Sequence, residues 1–452
     1  MTRELLGQLD RHIDAHLDGW IVELAELCKI PSVSARHQGI EACAEQVGRL
    51  LERQGLTVDV LPTGGHPVVL GSLPAAHSQT MLFYNHYDVQ PPEPLNLWLS
   101  PPFRPEVRDG RLYARGAKDD KGELIARLAA VDALQAVTGG LPCDLRWLVE
   151  GEEEIGSPNL PPFVEQHWSS LHCDAAIWEE GGVDPEGRPL VMLGTRGLLY
   201  VELSVRASAR DGHSGEANLI PNAAWRLVWA LSTLKGEDER IRIPGFYDGV
   251  PAPTVRQMAM LAELPSPESG LLASYGLDSL LLSRTGSEVL TARFQPTCNV
   301  AGLTAGFQGE GSKTVIPALA SAKVDFRLVP SQDPAAIADK LRAHLEAEGF
   351  SDVTLHVIGC EPGAFIDPDD PLVRMAAETG AEIYGQPAQL VPLSGGTTPM
   401  FLFAQRGVPI VAPGVGFGAS NLAHSPNESV RLEDIRQAAR HLTRLLLRFG
   451  QG

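Results

Sequence analysis

The chain has 452 residues, 44% apolar and 21% charged, as is typical of a soluble globular enzyme with two or three domains. Its 56 Asp and Glu against 37 Lys and Arg give a net charge of −19. Such an acidic chain repels phosphate backbones and anionic lipids, so we expect neither nucleic acid nor a membrane as a partner.

The cysteines and the start of the chain predict a cytoplasmic protein. Six cysteines are scattered without a CxxC pair, which is typical of free thiols in a reducing compartment. The first thirty residues have the pattern of an amphipathic helix rather than of a signal peptide. No apolar run approaches the length of a membrane span.

The first part of the chain alternates helical and strand-like patterns, which predicts an α/β domain with a mostly parallel sheet. The predicted elements are helices at Ile40–Gln54 and Gly122–Val137 and strands at Thr57–Leu61 and Pro67–Leu73.

Four apolar segments run into residues of the types that bind metals. They are Met81–Tyr84 before His86, Leu145–Val149 before Glu150 to Glu154, Ala175–Trp178 before Glu179 and Glu180, and Pro409–Ala412 before the loop of His424. In open α/β sheets, ligands bind beyond the carboxyl ends of the strands. The sequence therefore predicts a polar site at this edge.

The residue types at this edge favour a metal site. His86 and Asp88 lie two residues apart, and a further carboxylate follows from either Asp119 or Asp120. Imidazole and carboxylate groups suit Zn²⁺, and a shared carboxylate bridges two cations about 3.5–4 Å apart in two-metal hydrolases. Each motif alone has a plainer interpretation, as a turn, a helix cap or a solvated acidic loop.

The middle of the chain has a different pattern. Leu199–Ala207 and Ala322–Leu328 alternate apolar and polar residues, as half-buried antiparallel strands do, and Pro221–Leu234 and Pro334–Glu348 have helical patterns. We therefore predict an inserted α+β domain at 198–361, and a first domain formed by 1–197 and 362–452. The first domain ends in a long helix around Leu432–Phe449.

Several motifs together resemble those of a known enzyme family. They are HYDVQP, LYARGAKDDKG, EGEEEIGS, the segment Asp211–Gly215, the stretch from SKTVIP to DFRLVP, and AHSPNE. This order resembles the two-zinc metallopeptidases and amidohydrolases that include carnosinase-like dipeptidases, aminoacylases and succinyl-diaminopimelate desuccinylases. The resemblance implies a zinc-aminopeptidase-like catalytic domain plus an inserted lid and dimerisation domain.

The resemblance also implies two divalent metal ions, for which we expect zinc, with manganese or cobalt as alternatives. The implied ligands are His86, Asp119 as the bridge, Glu154, Glu179 (with Glu180 as the alternative) and His424. Glu153 would be the general base. Asp88 would orient His86 and fix its tautomer.

In the inserted domain, the resemblance implies residues that bind the substrate. His213 would reach the active site of the partner subunit in a homodimer, while Arg327 and Asn299 would hold the carboxylate and backbone of the substrate. Gly396 and Thr397 would line the cleft. Leu393 and Ser394 stand where carnosinase-like members often carry Arg-Glu, which weakens any transfer of their substrate preference.

The implied function is hydrolysis of the amide bond of dipeptides or short peptides by a metal-activated water. One alternative is an N-acyl-amino-acid deacylase or desuccinylase with the same metals. An alternative of another class is a binding or scaffold protein that has kept the fold without catalysis.

Overall fold

The computed structural model of the chain describes residues 2–75, 79–179, 181–418 and 420–451. Glu180, the alternative ligand, lies outside the described residues. The helices in the described part are α1 (Arg3–Cys28), α2 (Ile40–Arg53), α3 (Lys121–Thr138), α4 (Leu160–Leu171), α5 (Ala223–Leu234), α6 (Val255–Glu263), α7 (Glu268–Tyr275), α8 (Ser287–Thr291), α9 (Pro334–Ala347), α10 (Pro371–Tyr384), α11 (Phe401–Ala404) and α12 (Leu432–Phe449).

The strands follow the same chain order. They are β1 (Thr57–Leu61), β2 (Val68–Leu73), β3 (Thr80–His86), β4 (Glu106–Arg108), β5 (Arg111–Tyr113), β6 (Asp144–Glu150), β7 (Ala175–Ile177), β8 (Gly182–Val183), β9 (Pro189–Met192), β10 (Gly194–Thr195), β11 (Gly197–Arg206), β12 (Gly212–His213), β13 (Asn299–Ala305), β14 (Val315–Ile316), β15 (Leu319–Leu328), β16 (Thr354–Glu361), β17 (Ala364–Phe365), β18 (Gln389–Val391), β19 (Ile410–Val411) and β20 (Ser429–Arg431).

The chain divides into two compact units. The first contains Met1–Leu193, Ile366–Pro392 and Thr398–Gly452, and the second contains Gly194–Phe365 and Leu393–Thr397. The short segment Leu393–Thr397, which the sequence assigned to the first domain, is tied to the second unit by hydrogen bonds. The Arg196 amide donates to the Gly396 carbonyl at 2.9 Å, and Arg327 Nη1 donates to Thr397 Oγ1 at 2.7 Å.

The main sheet of the first unit has the strand order β1-β2-β6-β3-β7-β19. Strands β6, β3, β7 and β19 are parallel, while β1 and β2 are antiparallel additions at one edge. From Met81 to His86 every residue of β3 is buried, as expected of a central strand covered on both faces. Pairing of β3 with β6 runs in register from Thr80–Asp144 to His86–Glu150, so both strands end at the same edge.

Helices α1, α3 and α12 pack together in the first unit. Helix α3 is buried from Lys121 to Val131 on all its faces, as in a helix surrounded by protein. Among the described helices, none combines the length and the apolar character needed to cross a bilayer.

The second unit contains the antiparallel sheet β13-β15-β11-β16. Along β11 buried and half-buried residues alternate, and α5 and α9 pack on the strands. Helix α9 begins with a cap, because the Asp333 side chain accepts a hydrogen bond from the Ala335 amide. These elements confirm the predicted half-buried strands and their two covering helices.

Candidate metal centre

The polar side chains at the carboxyl edge of the first unit come from five segments. His86 ends β3 and Asp88 follows it. Glu153 and Glu154 begin a short 3-10 helix after β6, and Glu179 follows β7. Asp119 lies on the loop before α3, and His424 lies on a loop after β19 with a positive φ of 60°.

Asp119 lies between the two histidines. His86 Nε2 is 3.1 Å from Asp119 Oδ1, and His424 Nε2 is 3.0 Å from Asp119 Oδ2. Glu179 Oε2 is 3.8 Å from His86 Nε2, while Glu154 Oε2 is 3.1 Å from His424 Nε2. The arrangement therefore has two halves, each with one imidazole and one glutamate, joined by one aspartate.

The spacing of these groups suits divalent ions. Ligands about 2.0–2.1 Å from a tetrahedral zinc ion lie about 3.3 Å from one another. The four distances, from 3.0 to 3.8 Å, bracket that value. The donor set of imidazole nitrogens and carboxylate oxygens fits Zn²⁺, Mn²⁺ or Co²⁺.

The electrostatics of the centre also favour cations. The centre contains more carboxylates than imidazoles. The carboxylates are those of Asp88, Asp119, Glu153, Glu154 and Glu179. Hydrogen bonds to Asp119 and then to Glu154 raise the pKa of His424 to about 10. Burial and, after it, the charges of Glu154 and Asp119 raise the pKa of Glu153 well above its usual range, against the opposing influence of His86. A bound cation would relieve this repulsion between carboxylates.

Asp88 organises two parts of the centre at once. Its Oδ1 lies 3.4 Å from His86 Nδ1 and accepts a hydrogen bond from the Glu153 amide at 3.2 Å. Its Oδ2 accepts from the Glu154 amide at 3.1 Å. His86 Nδ1 also lies 3.0 Å from the Asp88 carbonyl oxygen. One fully buried residue thus orients an imidazole, and its carboxylate holds the turn that carries two glutamates.

Gln90, also within the HYDVQP motif, positions Glu154. The Gln90 side-chain amide donates to Glu154 Oε2 at 2.8 Å, and the Gln90 backbone amide donates to Glu154 Oε1 at 3.2 Å. Sequence reasoning did not single out this glutamine.

The loop that precedes α3 distinguishes Asp119 from Asp120. Asp120 is buried, and its Oδ2 accepts hydrogen bonds from Asn85 Nδ2 at 2.6 Å and from the His86 amide at 3.1 Å. Asp120 thus holds the end of β3, while Asp119 faces both histidines. Even so, one ligand atom from each of Asp120, His86 and Glu179 lies within 4.8 Å of the other two.

Glu428 is the main residue of the centre that sequence reasoning missed. Its carboxylate is fully buried and accepts from Arg115 Nη1 at 2.7 Å and from the Gly116 amide at 3.0 Å. Its other oxygen accepts from the amides of Lys118 and Asp119 at 3.0 and 3.1 Å. Because Glu428 ends the AHSPNE motif of His424, it ties the His424 loop to the Asp119 loop.

We expect Glu428→Gln to weaken metal binding about 10- to 100-fold, the range seen when groups behind metal ligands are changed. The amide can accept hydrogen bonds through only one of its two heavy atoms, so donors of the Asp119 loop lose their acceptor and Arg115 loses its counter-charge. Competition with a zinc chelator measures the affinity. Glu433→Gln, at an exposed position on α12, is the matched control. Unchanged zinc affinity in Glu428→Gln would show that the Asp119 loop keeps its shape without this carboxylate.

The predicted substrate-binding residues all belong to the second unit. Arg327 and Thr397 are joined by their 2.7 Å hydrogen bond, with Gly396 next to Thr397. Asn299 donates to Asp325 Oδ2 at 2.8 Å. His213 is exposed, and its Nδ1 accepts from the Gly215 amide at 3.0 Å.

Comparison with known proteins identifies the family. Residues 82–448 match the model of peptidase family M20/M25/M40, and the chain belongs to this family. An M20 family metallo-carboxypeptidase from Sulfolobus solfataricus is 37% identical, with a TM-score of 0.91 over 96% of this chain and 99% of that one.

Two curated relatives have named substrates. A Beta-Ala-His dipeptidase of Homo sapiens is 30% identical over 76% of this chain and 71% of its own length. A Cys-Gly metallodipeptidase of Schizosaccharomyces pombe is 29% identical over 75% of each chain. The predicted family and fold class are confirmed: this is a metal-dependent enzyme that hydrolyses peptide amide bonds.

Proposed function

We propose that the enzyme is a dipeptidase that cleaves dipeptides or short peptides with two divalent cations and a glutamate general base. The observation that carries the proposal is the position of Asp119, with one carboxylate oxygen near His86 and the other near His424. A carboxylate shared in this way is the arrangement of two-metal hydrolases.

His86, Asp119 and Glu179 would hold one ion, and Asp119, Glu154 and His424 the other. Zinc is the ion that we expect, and manganese or cobalt would suit the same donors. Asp88 would keep His86 in the tautomer that leaves Nε2 free to bind.

Once bound, the two ions would polarise the scissile carbonyl and make the attacking water more acidic. Glu153 would accept the proton of that water and deliver it to the amine that leaves. Its half-buried position beside Glu154 supports this role, because burial and neighbouring carboxylates make Glu153 a stronger base than a solvated glutamate.

In the second unit, Arg327, Asn299, Gly396 and Thr397 would hold the substrate's carboxylate and backbone. Positive charge around Arg327 supports this assignment. Arg196 Nη2 donates to the Arg327 carbonyl at 3.1 Å, and burial followed by the charges of Arg327 and Arg293 lowers the pKa of Arg196 to about 10. A cluster of guanidinium groups suits a carboxylate ligand.

The second unit would also form a homodimer. On α5, Trp225 and Trp229 stack with their rings 6.0 Å apart, and both are more than half exposed. On the edge strand β13, Val300 and Leu303 are 48% and 54% exposed. Exposed apolar groups and an unpaired strand edge are typical of surfaces that bind a partner.

If His213 acts on the active site of the partner subunit, two inactive variants will complement each other. We expect mixed His213→Ala and Glu153→Gln chains to regain activity, because one of the two sites in each heterodimer then has both residues. Activity is measured after exchange of differently tagged chains and isolation of the heterodimer. Adding Trp229→Glu to both chains should abolish dimers and the recovery together. An isolated heterodimer without activity would argue against a site that is shared between the two subunits.

All six cysteines are free thiols, and five of them are buried. Free thiols persist in reducing compartments, which supports a cytoplasmic location.

Hydrolysis of a substrate panel tests the proposal. The panel contains a dipeptide, its C-terminal amide, a longer peptide and an N-acyl amino acid, each with and without chelator. Chelator-sensitive cleavage that favours the free dipeptide is the expected result. Release of C-terminal residues from long peptides would make the enzyme a carboxypeptidase, as its relative from Sulfolobus solfataricus is named. Cleavage of the N-acyl substrate alone would make it a deacylase.

A further inference from the structure

A second group of metal-binding side chains lies on the packed helices α1 and α3. His12 and His16 are one turn apart on α1, and Asp132 lies on α3. One ligand atom from each residue lies within 4.8 Å of the others. None of the three residues belongs to the centre around Asp119.

The hydrogen bonds of His16 leave a nitrogen that can bind a metal. His16 Nδ1 lies 2.8 Å from the His12 carbonyl oxygen, which can only accept, so Nδ1 carries the proton. His16 Nε2 then has a free lone pair. An imidazole that donates its other N–H to a backbone carbonyl is the usual arrangement of a metal-binding histidine.

His12 is held by the third residue of the group. His12 Nε2 lies 2.8 Å from Asp132 Oδ2, and the rings of His12 and His16 stack with centroids 4.1 Å apart and planes 26° apart. In the absence of metal, a proton joins His12 to Asp132. A cation can replace this proton and bind His12 Nε2 and an Asp132 oxygen. His16 becomes the third ligand when its ring turns out of the stacked position, so that Nε2 points at the ion.

The surroundings leave this group available to an ion. His16 is exposed and the other two side chains are half-buried, so water can complete the coordination. The neighbouring acids of α1 are already paired: Asp10 with Arg444 at 2.7 Å and Asp14 with Arg440 at 2.6 Å. Two imidazoles and one carboxylate form a donor set for Zn²⁺, Ni²⁺ or Cu²⁺ rather than for Mg²⁺ or Ca²⁺.

We infer that His12, His16 and Asp132 form a separate site for one transition-metal cation, which links α1 to α3. The inference does not depend on the substrate or on the proposed catalytic roles. Because the ion binds the folded pair of helices, it should also raise the melting temperature.

Zinc counting on the intact enzyme tests the inference. Protein equilibrated at fixed free zinc is analysed for ions per chain, and the double variant His12→Ala/His16→Ala is expected to hold one ion fewer than the parent. Its activity should be unchanged. The matched control is His172→Ala/His356→Ala, which removes two exposed histidines that are distant in sequence and should keep every ion.

Asp132→Asn supplies a second test that keeps the shape of the side chain. We expect it to weaken zinc binding at this site at least tenfold, and to reduce the zinc-dependent rise in melting temperature that the parent gives once its catalytic centre is saturated. An equal number of ions in the parent and the double variant would overturn the inference. The inference would also be overturned if the additional ion stayed bound after both histidines are removed.

Discussion

Glu153→Gln is expected to lower kcat by about 10²- to 10⁴-fold, the usual contribution of a general base. The glutamine keeps the size of the side chain but cannot accept the proton of the attacking water. Because Glu153 is not one of the proposed ligands, the number of bound ions should stay at the parental value. Stopped-flow or quench measurements with a dipeptide give kcat, and elemental analysis of the same sample gives the ions per chain.

The adjacent glutamate provides a control for this variant. Glu152 is buried, and its two oxygens accept hydrogen bonds from the His66 amide at 3.0 Å and from Asn159 Nδ2 at 2.8 Å. Glu152→Gln should therefore affect stability more than the chemical step. If the two variants lost kcat equally, or if Glu153→Gln lost its metal, the base would have to be sought elsewhere.

The sequence predicted the edge of the sheet at which the centre lies, because the relevant strands are short, apolar and followed at once by polar residues. Strand β3 ends at His86 and β6 at Glu150, next to each other in parallel register. The helix predicted at Leu432–Phe449 is found with the same bounds. Strong local patterns of this kind predict the folded elements, because the apolar residues that form the pattern are the residues that each element buries.

Other features depend on contacts between distant segments, and local patterns do not reveal them. The spacing left Asp119 and Asp120 equivalent, whereas the fold turns Asp120 toward the amide of His86. The role of Glu428 arises from backbone amides more than 300 residues earlier, although the residue lay within a motif that was recognised. Likewise, the hydrogen bonds that assign Leu393–Thr397 to the second unit link residues far apart in the chain.

Asp119→Ala is expected to reduce the binding of both ions and to lower kcat/KM by about 10⁴-fold or more. The reason is that the ions polarise the carbonyl and acidify the water, and each effect contributes several kcal/mol in metal-assisted hydrolysis. Both effects would be lost together. Ions per chain are measured at a series of buffered zinc concentrations. His424→Ala removes a side chain from only one half of the centre, so it should weaken one ion and leave the other near its parental affinity.

The contrast with Asp120 makes the bridging role of Asp119 testable. Asp120→Asn keeps an oxygen that can accept from both Asn85 and the His86 amide, so we expect a smaller loss of metal than in Asp119→Ala. If the order were reversed, Asp120 would be the bridge and Asp119 the residue that supports it. If Asp119→Ala lost only the ion that His424→Ala also loses, the carboxylate would serve one half of the centre. The two ions would then be independent, and the observation that carries the proposed two-metal mechanism would no longer support it.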